Sequence, residues 1–292
     1  MGRLGLAGRA GVPHTLSSVG TSNGQQKDER RWVEQVRTTP DRVFTAGNLM
    51  DYTICPRKFV LSLFAPAQQR RALGAVPALH SAVRATLVAA DRKGGPAAVS
   101  LEWLRDEFLR RFDTAACSDS LEEEQTVRLG LRMLAEFQAA AREHPDELVG
   151  ADVRYEATFE DLPFAAVADR VEKTQEGRLV VARYDVTRNP PGPRRLLNDF
   201  SIGLLVAVAT LATGEKPMGR LYALRVNKTY QADYDDSRLE GIQRRAMTLA
   251  RAIRADAEYA PKLGDHCRWC RVRLLCSAWQ ERRASMLRVR GW

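Results

Sequence analysis

Of the five cysteines in the 292-residue chain, Cys267, Cys270 and Cys276 fall within ten positions of one another. Thiols at that spacing can converge on one soft metal centre, the first pair across a tight turn and the third returning from the next half-turn. Three thiols leave a four-ligand centre one short. Cys55, followed by Pro56, Arg57 and Lys58, is the best fourth candidate, whereas His266 would complete a compact zinc knuckle instead. Spacing alone leaves zinc and iron–sulfur open. A centre that includes Cys55 closes a loop of more than 200 residues and would constrain the unfolded chain, a structural role. Cys117 stands alone in a polar connection and is read as incidental.

The chain carries 45 Lys and Arg against 36 Asp and Glu, a formal charge of +9. That excess favours a polyanionic partner through counterion release. No stretch reaches the roughly 18 apolar residues of a membrane span; residues 202–212 are apolar but too short. The first 27 residues lack the apolar run of a signal peptide. A cytoplasmic protein without a membrane partner is expected, with its thiols reduced.

The elements that must position these residues follow from periodicity. Residues 1–40, rich in Gly, Ser, Gln and Thr, read as a flexible leader, and 41–292 as a single domain. Thr45 or Asn48 can cap a short helix through Leu49, Tyr52 and Phe59. A helical insertion spans about 76–144, with apolar residues at helical spacing in 76–90, 101–112 and 122–143. The period then changes, and 148–159, 164–173 and 178–186 read as strands. A buried helix over 196–211, a strand over 219–226 and a helix over 237–259 follow, and 281–292 reads as a helix or docking tail. This order predicts an α/β fold with a mixed central sheet flanked by helices.

Read together, these residues resemble the RecB-like branch of the PD-(D/E)XK nuclease superfamily, especially the iron–sulfur members related to the AddB nuclease domain and the CRISPR-adaptation nucleases. In that family an early Ser/Thr-x-x-x-aromatic-x-x-Cys-Pro-x-Lys/Arg-Phe segment precedes the fold and a Cys-x-x-Cys-x5-Cys group closes it. Residues 48–59 match the first, with Asn48 in place of the hydroxyl residue, and Cys267, Cys270 and Cys276 match the second. The match covers about 44–281. The resemblance implies a 4Fe-4S cluster on Cys55, Cys267, Cys270 and Cys276, borne by a C-terminal cluster-binding segment that staples 55 to 267–276. It also implies a site role for His80 on an early helix, and a first acidic metal ligand at Asp169, in the text Ala166-Val167-Ala168-Asp169-Arg170.

The next motif departs from the family. An active member reads Asp-Tyr/Phe-Lys in a strand, acid and lysine facing one side. This chain reads Arg183-Tyr184-Asp185, an arginine for the acid and an acid for the lysine. Mg²⁺ or Mn²⁺ wants hard oxygen ligands, and an arginine opposes its entry. The Gln and Leu-x-x-Tyr of the following helix are also missing from residues 199–206.

A pseudonuclease is therefore expected: an iron–sulfur, DNA-binding protein on a nuclease scaffold. Its DNA would be held by Arg57, Lys58, Arg183, Arg268, Arg271 and Arg273, with Trp269, Tyr52 or Tyr184 stacking on bases if the DNA is single-stranded. The alternatives are a metal-dependent DNA exonuclease or endonuclease working through His80, Glu156, Asp169 and Asp185 with Mg²⁺ or Mn²⁺, and a scaffold for a protein partner.

Overall fold

A computed structural model describes residues 22–39, 42–64, 74–143 and 146–289. Among the described residues, six α-helices precede the sheet: α1 (Ser22–Arg37), α2 (Ala46–Ile54), α3 (Pro56–Phe64), α4 (Ala75–Asp91), α5 (Leu101–Arg111) and α6 (Ser120–Glu143). Thr45 starts α2 through a capping box. Its hydroxyl accepts the Asn48 N–H, and the Asn48 Oδ1 accepts the Thr45 N–H at 2.9 Å, so two otherwise orphan donors are satisfied. Leu79, Val83 and Leu87 form the buried stripe of α4 and pack with Phe108 of α5 and Met133, Leu134 and Phe137 of α6. Gly130 lets α6 approach α5, since a Cβ there would lie 2.4 Å from the Phe108 ring.

Three strands then run as an antiparallel meander, β1 (Glu147–Phe159), β2 (Leu162–Lys173) and β3 (Leu179–Asp185). The chain crosses through α7 (Pro193–Leu196) and α8 (Phe200–Thr213) to β4 (Met218–Ala223), which pairs parallel to β3. A parallel neighbour requires such a crossover. The edge strand β5 (Lys228–Ala232) is antiparallel, giving the order β1-β2-β3-β4-β5. Then α9 (Asp236–Ala255) leads to short turns at Asp265–Trp269 and Arg273–Leu275 and to α10 (Ser277–Val289).

One core lies under α8, where Val171, Val181, Leu204, Val206 and Val208 meet Phe164 and Tyr234. The other lies between the sheet and the α4–α6 layer, around Leu87, Phe108, Met133 and Tyr184. A mixed sheet between helical layers is the architecture expected from the sequence. No helix among the described residues is long and apolar enough to cross a membrane.

Several elements differ from the sequence reading. Within the segment read as a leader, Ser22–Arg37 is a helix, while residues 1–21 lie outside the described ones. Docking supplies what composition lacks: Trp32 stacks on Phe64 of α3, and Glu29 accepts both the N–H (2.6 Å) and the hydroxyl (3.1 Å) of Ser277 at the head of α10. The buried helix begins at Phe200 rather than at 196, because the Asp199 carboxylate caps it by accepting the Ser201 and Ile202 N–H groups at 2.9 Å. The strand expected over 219–226 ends at Ala223, and β5 was not foreseen.

The expectation of a cluster-binding C-terminal segment is corrected. The segment docks by ordinary packing, with Val272 against Leu61 of α3 and with Trp32, Leu275, Cys270 and Cys276 around them. There the thiols behave as small apolar side chains.

Candidate active site

Helix α4 carries His80 and Arg84 four residues apart, hence stacked on one face. His80 reaches β3, and Arg84 reaches the sheet where one β1–β2 pair is missing. Ala151 pairs with Arg170 and Val153 with Ala168, but Asp152 and Asp169 between them do not pair, and Asp152 has φ +56°. Aspartate tolerates that left-handed backbone better than most residues. Both carboxylates converge on one guanidinium: Arg84 Nε donates to Asp169 Oδ1 at 2.6 Å and Nη2 to Asp152 Oδ1 at 2.7 Å. Arg92 donates to the other Asp152 oxygen at 3.0 Å.

The backbone of Tyr184 completes the arrangement. Its N–H donates to Asp169 Oδ2 at 2.8 Å, and its carbonyl oxygen lies 3.1 Å from His80 Nε2. Asp169 is only 1% exposed. Burial opposes the charge on Arg84, but Asp169 and Asp152 outweigh it and hold the guanidinium above its ordinary range.

Behind this site lies a buried ionic lattice. Strand register sets Arg170 of β2, Ala182 of β3 and Arg220 of β4 side by side, with Tyr184 beside Tyr222. Ala182 leaves room for the long side chains on either side. Arg170 pairs with Asp91 and Glu172, and Arg220 with Glu172 (2.8 Å) and Asp146 (2.6 Å). The Tyr184 hydroxyl donates to Asp91 and that of Tyr222 to Glu172, each at 2.6 Å. Part of this lattice floors a cavity of about 540 Å³ that also takes in Met218, Lys228 and Gln231.

Two arginines face three carboxylates there, so one carboxyl is poorly compensated. It is Asp91, whose pKa burial pushes up to about 6 against the pull of Arg170 and the Tyr184 hydroxyl. A folded-state pKa above the ordinary 3.8 means that this group's contribution to stability is full below 3.8 and is lost as the pH rises through 6. Asp91→Asn should therefore gain on the wild type between pH 4 and 7. The relative shift is at most about 3 kcal/mol, from 1.36 kcal/mol per pKa unit. Urea unfolding of both proteins at the two pH values measures it, and a constant difference would show that Asp91 is ionised throughout.

The other residues singled out from the sequence lie as follows. Glu156 is 60% exposed and pairs with Arg154 at 2.7 Å. Asp185 is turned away into a local cap, accepting the Thr187 N–H at 2.8 Å and its hydroxyl at 2.7 Å. Arg183 donates to the Ser201 hydroxyl of α8 at 3.2 Å. Arg57 pairs with Glu29 at 3.3 Å and Lys58 with Asp51 at 2.6 Å, so both charges are compensated within the fold. Arg268 and Arg271 are exposed, Arg273 donates to the Arg268 carbonyl, and Trp269 is 77% exposed.

Cys55, Cys267, Cys270 and Cys276 are free thiols that line one cavity of only about 20 Å³. The Cys55 sulfur accepts the Lys262 N–H at 3.3 Å, and burial pushes the Cys276 thiol up to about 11. Among the described residues no group of three or more His, Cys, Asp or Glu is placed to hold a metal ion. The expected 4Fe-4S cluster, and with it the iron–sulfur DNA-binding protein, is corrected on that ground: the thiols close on apolar neighbours and leave room for about one water.

The same finding covers Mg²⁺ and Mn²⁺. Both oxygens of Asp169 are engaged by Arg84 and Tyr184, Glu156 and Asp185 are turned to other partners, and Arg183 stands where the second acid was expected. These residues do not fit a divalent ion. Sequence reasoning missed Arg84 and Asp152. An arginine four residues after His80, on a helix whose buried positions are otherwise mostly apolar, was a readable signal; the ladder break at Asp152 was not.

No curated protein matches the chain at a significant level. Solved structures do, and one of them, the crystal structure of SSO0001, is 13% identical over 67% of this chain and 84% of that one, with a TM-score of 0.34. The model of the PD-(D/E)XK nuclease superfamily matches residues 43–277, which takes in α2 to α9, the turns after it and both sides of the Asp169 site. By that match, and with its mixed sheet presenting Asp169 beside Tyr184, the chain belongs to the PD-(D/E)XK nuclease superfamily.

Proposed function

We propose that this chain is a nucleic-acid-binding member of the superfamily that does not hydrolyse phosphodiesters, and that it works without a resident metal cluster. The observation that carries this reading is Arg84, whose guanidinium bridges Asp152 and Asp169 where a nuclease would need free oxygen ligands. Arg183 adds a second cation at the position of the missing acid. Superfamily membership and the charge of +9 support the nucleic-acid half of the proposal.

The test is a titration of Mg²⁺ and Mn²⁺ with single-stranded and duplex DNA, set beside Asp169→Ala. The expected result is intact DNA throughout, with no difference between the two proteins. A second reading, metal-dependent cleavage by rearranged ligands, is favoured by one feature: His80 and Asp169 both converge on the Tyr184 backbone. Metal-dependent cleavage abolished by Asp169→Ala would establish that reading and overturn the first.

A further inference from the structure

Most arginines around the site have a carboxylate partner, and those of the segment leaving β3 do not. Arg183, Arg188, Arg194 and Arg195 have no ion pair among the described residues. The acids close in sequence, Asp185 and Asp199, are turned into caps, one onto Thr187 and the other onto the head of α8. Arg188, Arg194 and Arg195 are exposed, whereas Arg183 is half-buried.

The segment is also held in place. Arg183 and Ser201 join its two ends. Pro190, Pro191 and Pro193 stiffen it. Leu196 is fully buried, and its carbonyl accepts the Tyr234 hydroxyl at 2.7 Å. Arg245 lies over the Phe200 ring at 4.7 Å, adding a cation at the start of α8. Exposed, uncompensated guanidinium groups on a pinned loop suit a chain of phosphates, each neutralised by releasing condensed counterions.

We propose that the segment from the end of β3 into α7, Arg183 to Arg195, is a metal-independent binding site for the phosphodiester backbone of DNA, in which arginine has taken over the electrostatic task of the superfamily's cation. The inference rests on the nucleic-acid-binding reading above and locates its contact surface.

The test is anisotropy of labelled duplex and single-stranded oligonucleotides against the full chain, over a range of salt, in EDTA and in Mg²⁺. The expected result is binding in EDTA at least as tight as in Mg²⁺, since Mg²⁺ only competes with the arginines for the phosphates. The triple variant Arg188→Ala/Arg194→Ala/Arg195→Ala should bind tens-fold more weakly, with a salt slope smaller by up to about 2.7, from roughly 0.9 per phosphate contact on duplex DNA. Arg183→Gln should lower the slope by about 0.9 on the same scale.

Those three arginines are exposed, so the triple variant keeps the fold, which circular dichroism checks. Binding lost in EDTA, or an unchanged salt slope in the triple variant, would overturn the inference. So would equal inhibition by acidic lipid vesicles at matched charge. Cleavage in the Mg²⁺ arm would sink the non-hydrolytic reading alone, because the EDTA arm reads this site separately.

Discussion

Replacing Arg84 by alanine is expected to cost about 3 kcal/mol of unfolding free energy, the lower end of the roughly 3–5 kcal/mol seen when one partner of a buried ion pair is removed. The lower end applies because the Arg84 side chain is 31% exposed and partly solvated, whereas that of Asp169 is 1% exposed. Without the guanidinium, Asp169 keeps the Tyr184 N–H but loses its only ion-pair partner among the described residues, and Asp152 keeps Arg92. The penalty thus falls on the Asp169 charge rather than on lost packing. Asp169→Asn in the Arg84→Ala background should restore about half or more of the loss. Urea unfolding of the four proteins of this cycle measures the coupling, and additive losses would show that the two side chains are energetically independent.

A loss of about 4 kcal/mol is expected for Arg170→Leu at neutral pH. Its side chain is 8% exposed, and it is the cation shared by Asp91 (0%) and Glu172 (2%). Leucine leaves Glu172 to Arg220 and leaves Asp91 with only the Tyr184 hydroxyl. Adding Asp91→Asn removes the stranded charge and should recover most of the loss. If the double variant is as unstable as the single one, the lattice matters through the volume and packing of Arg170 and not through its charge. Midpoints of denaturant unfolding at constant m-value distinguish the two.

What could be read from the sequence was what depends on local pattern. The apolar stripe of α4 and the meander from 147 to 185 announce themselves in the order of side chains, because a helix repeats every 3.6 residues and a strand every two. Edge strand β5, with the sequence Lys228-Thr229-Tyr230-Gln231-Ala232, buries only its last residue and so gives almost no alternation to find. Helix α1 depends on partners distant in sequence. At the site, the resemblance pointed to His80 and Asp169, which the fold brings to one backbone unit. The Arg84 bridge remained hidden because Asp152, Asp169 and Arg84 meet only through a ladder break and a helix packed across it. Spacing grouped Cys267, Cys270 and Cys276 and the resemblance added Cys55; all four line one small cavity, yet lining is not ligation, since sulfurs can equally fill an apolar seam.

The contact between Glu29 and Ser277 sets an order in time. The two residues are 248 positions apart, so at a synthesis rate of 5–20 residues per second Ser277 appears roughly 12 to 50 s after Glu29. During that interval Glu29 and the Trp32 side of α1 have no C-terminal segment to close on. Helix α1 therefore docks in two stages, first onto α3 through the Trp32–Phe64 stack and the Glu29–Arg57 pair, and then onto Ser277 once the C-terminal segment arrives. A product ending before Ser277 would keep α1 on α3 and lack only the two Ser277 donors to Glu29, so the late contact secures a helix that is already seated.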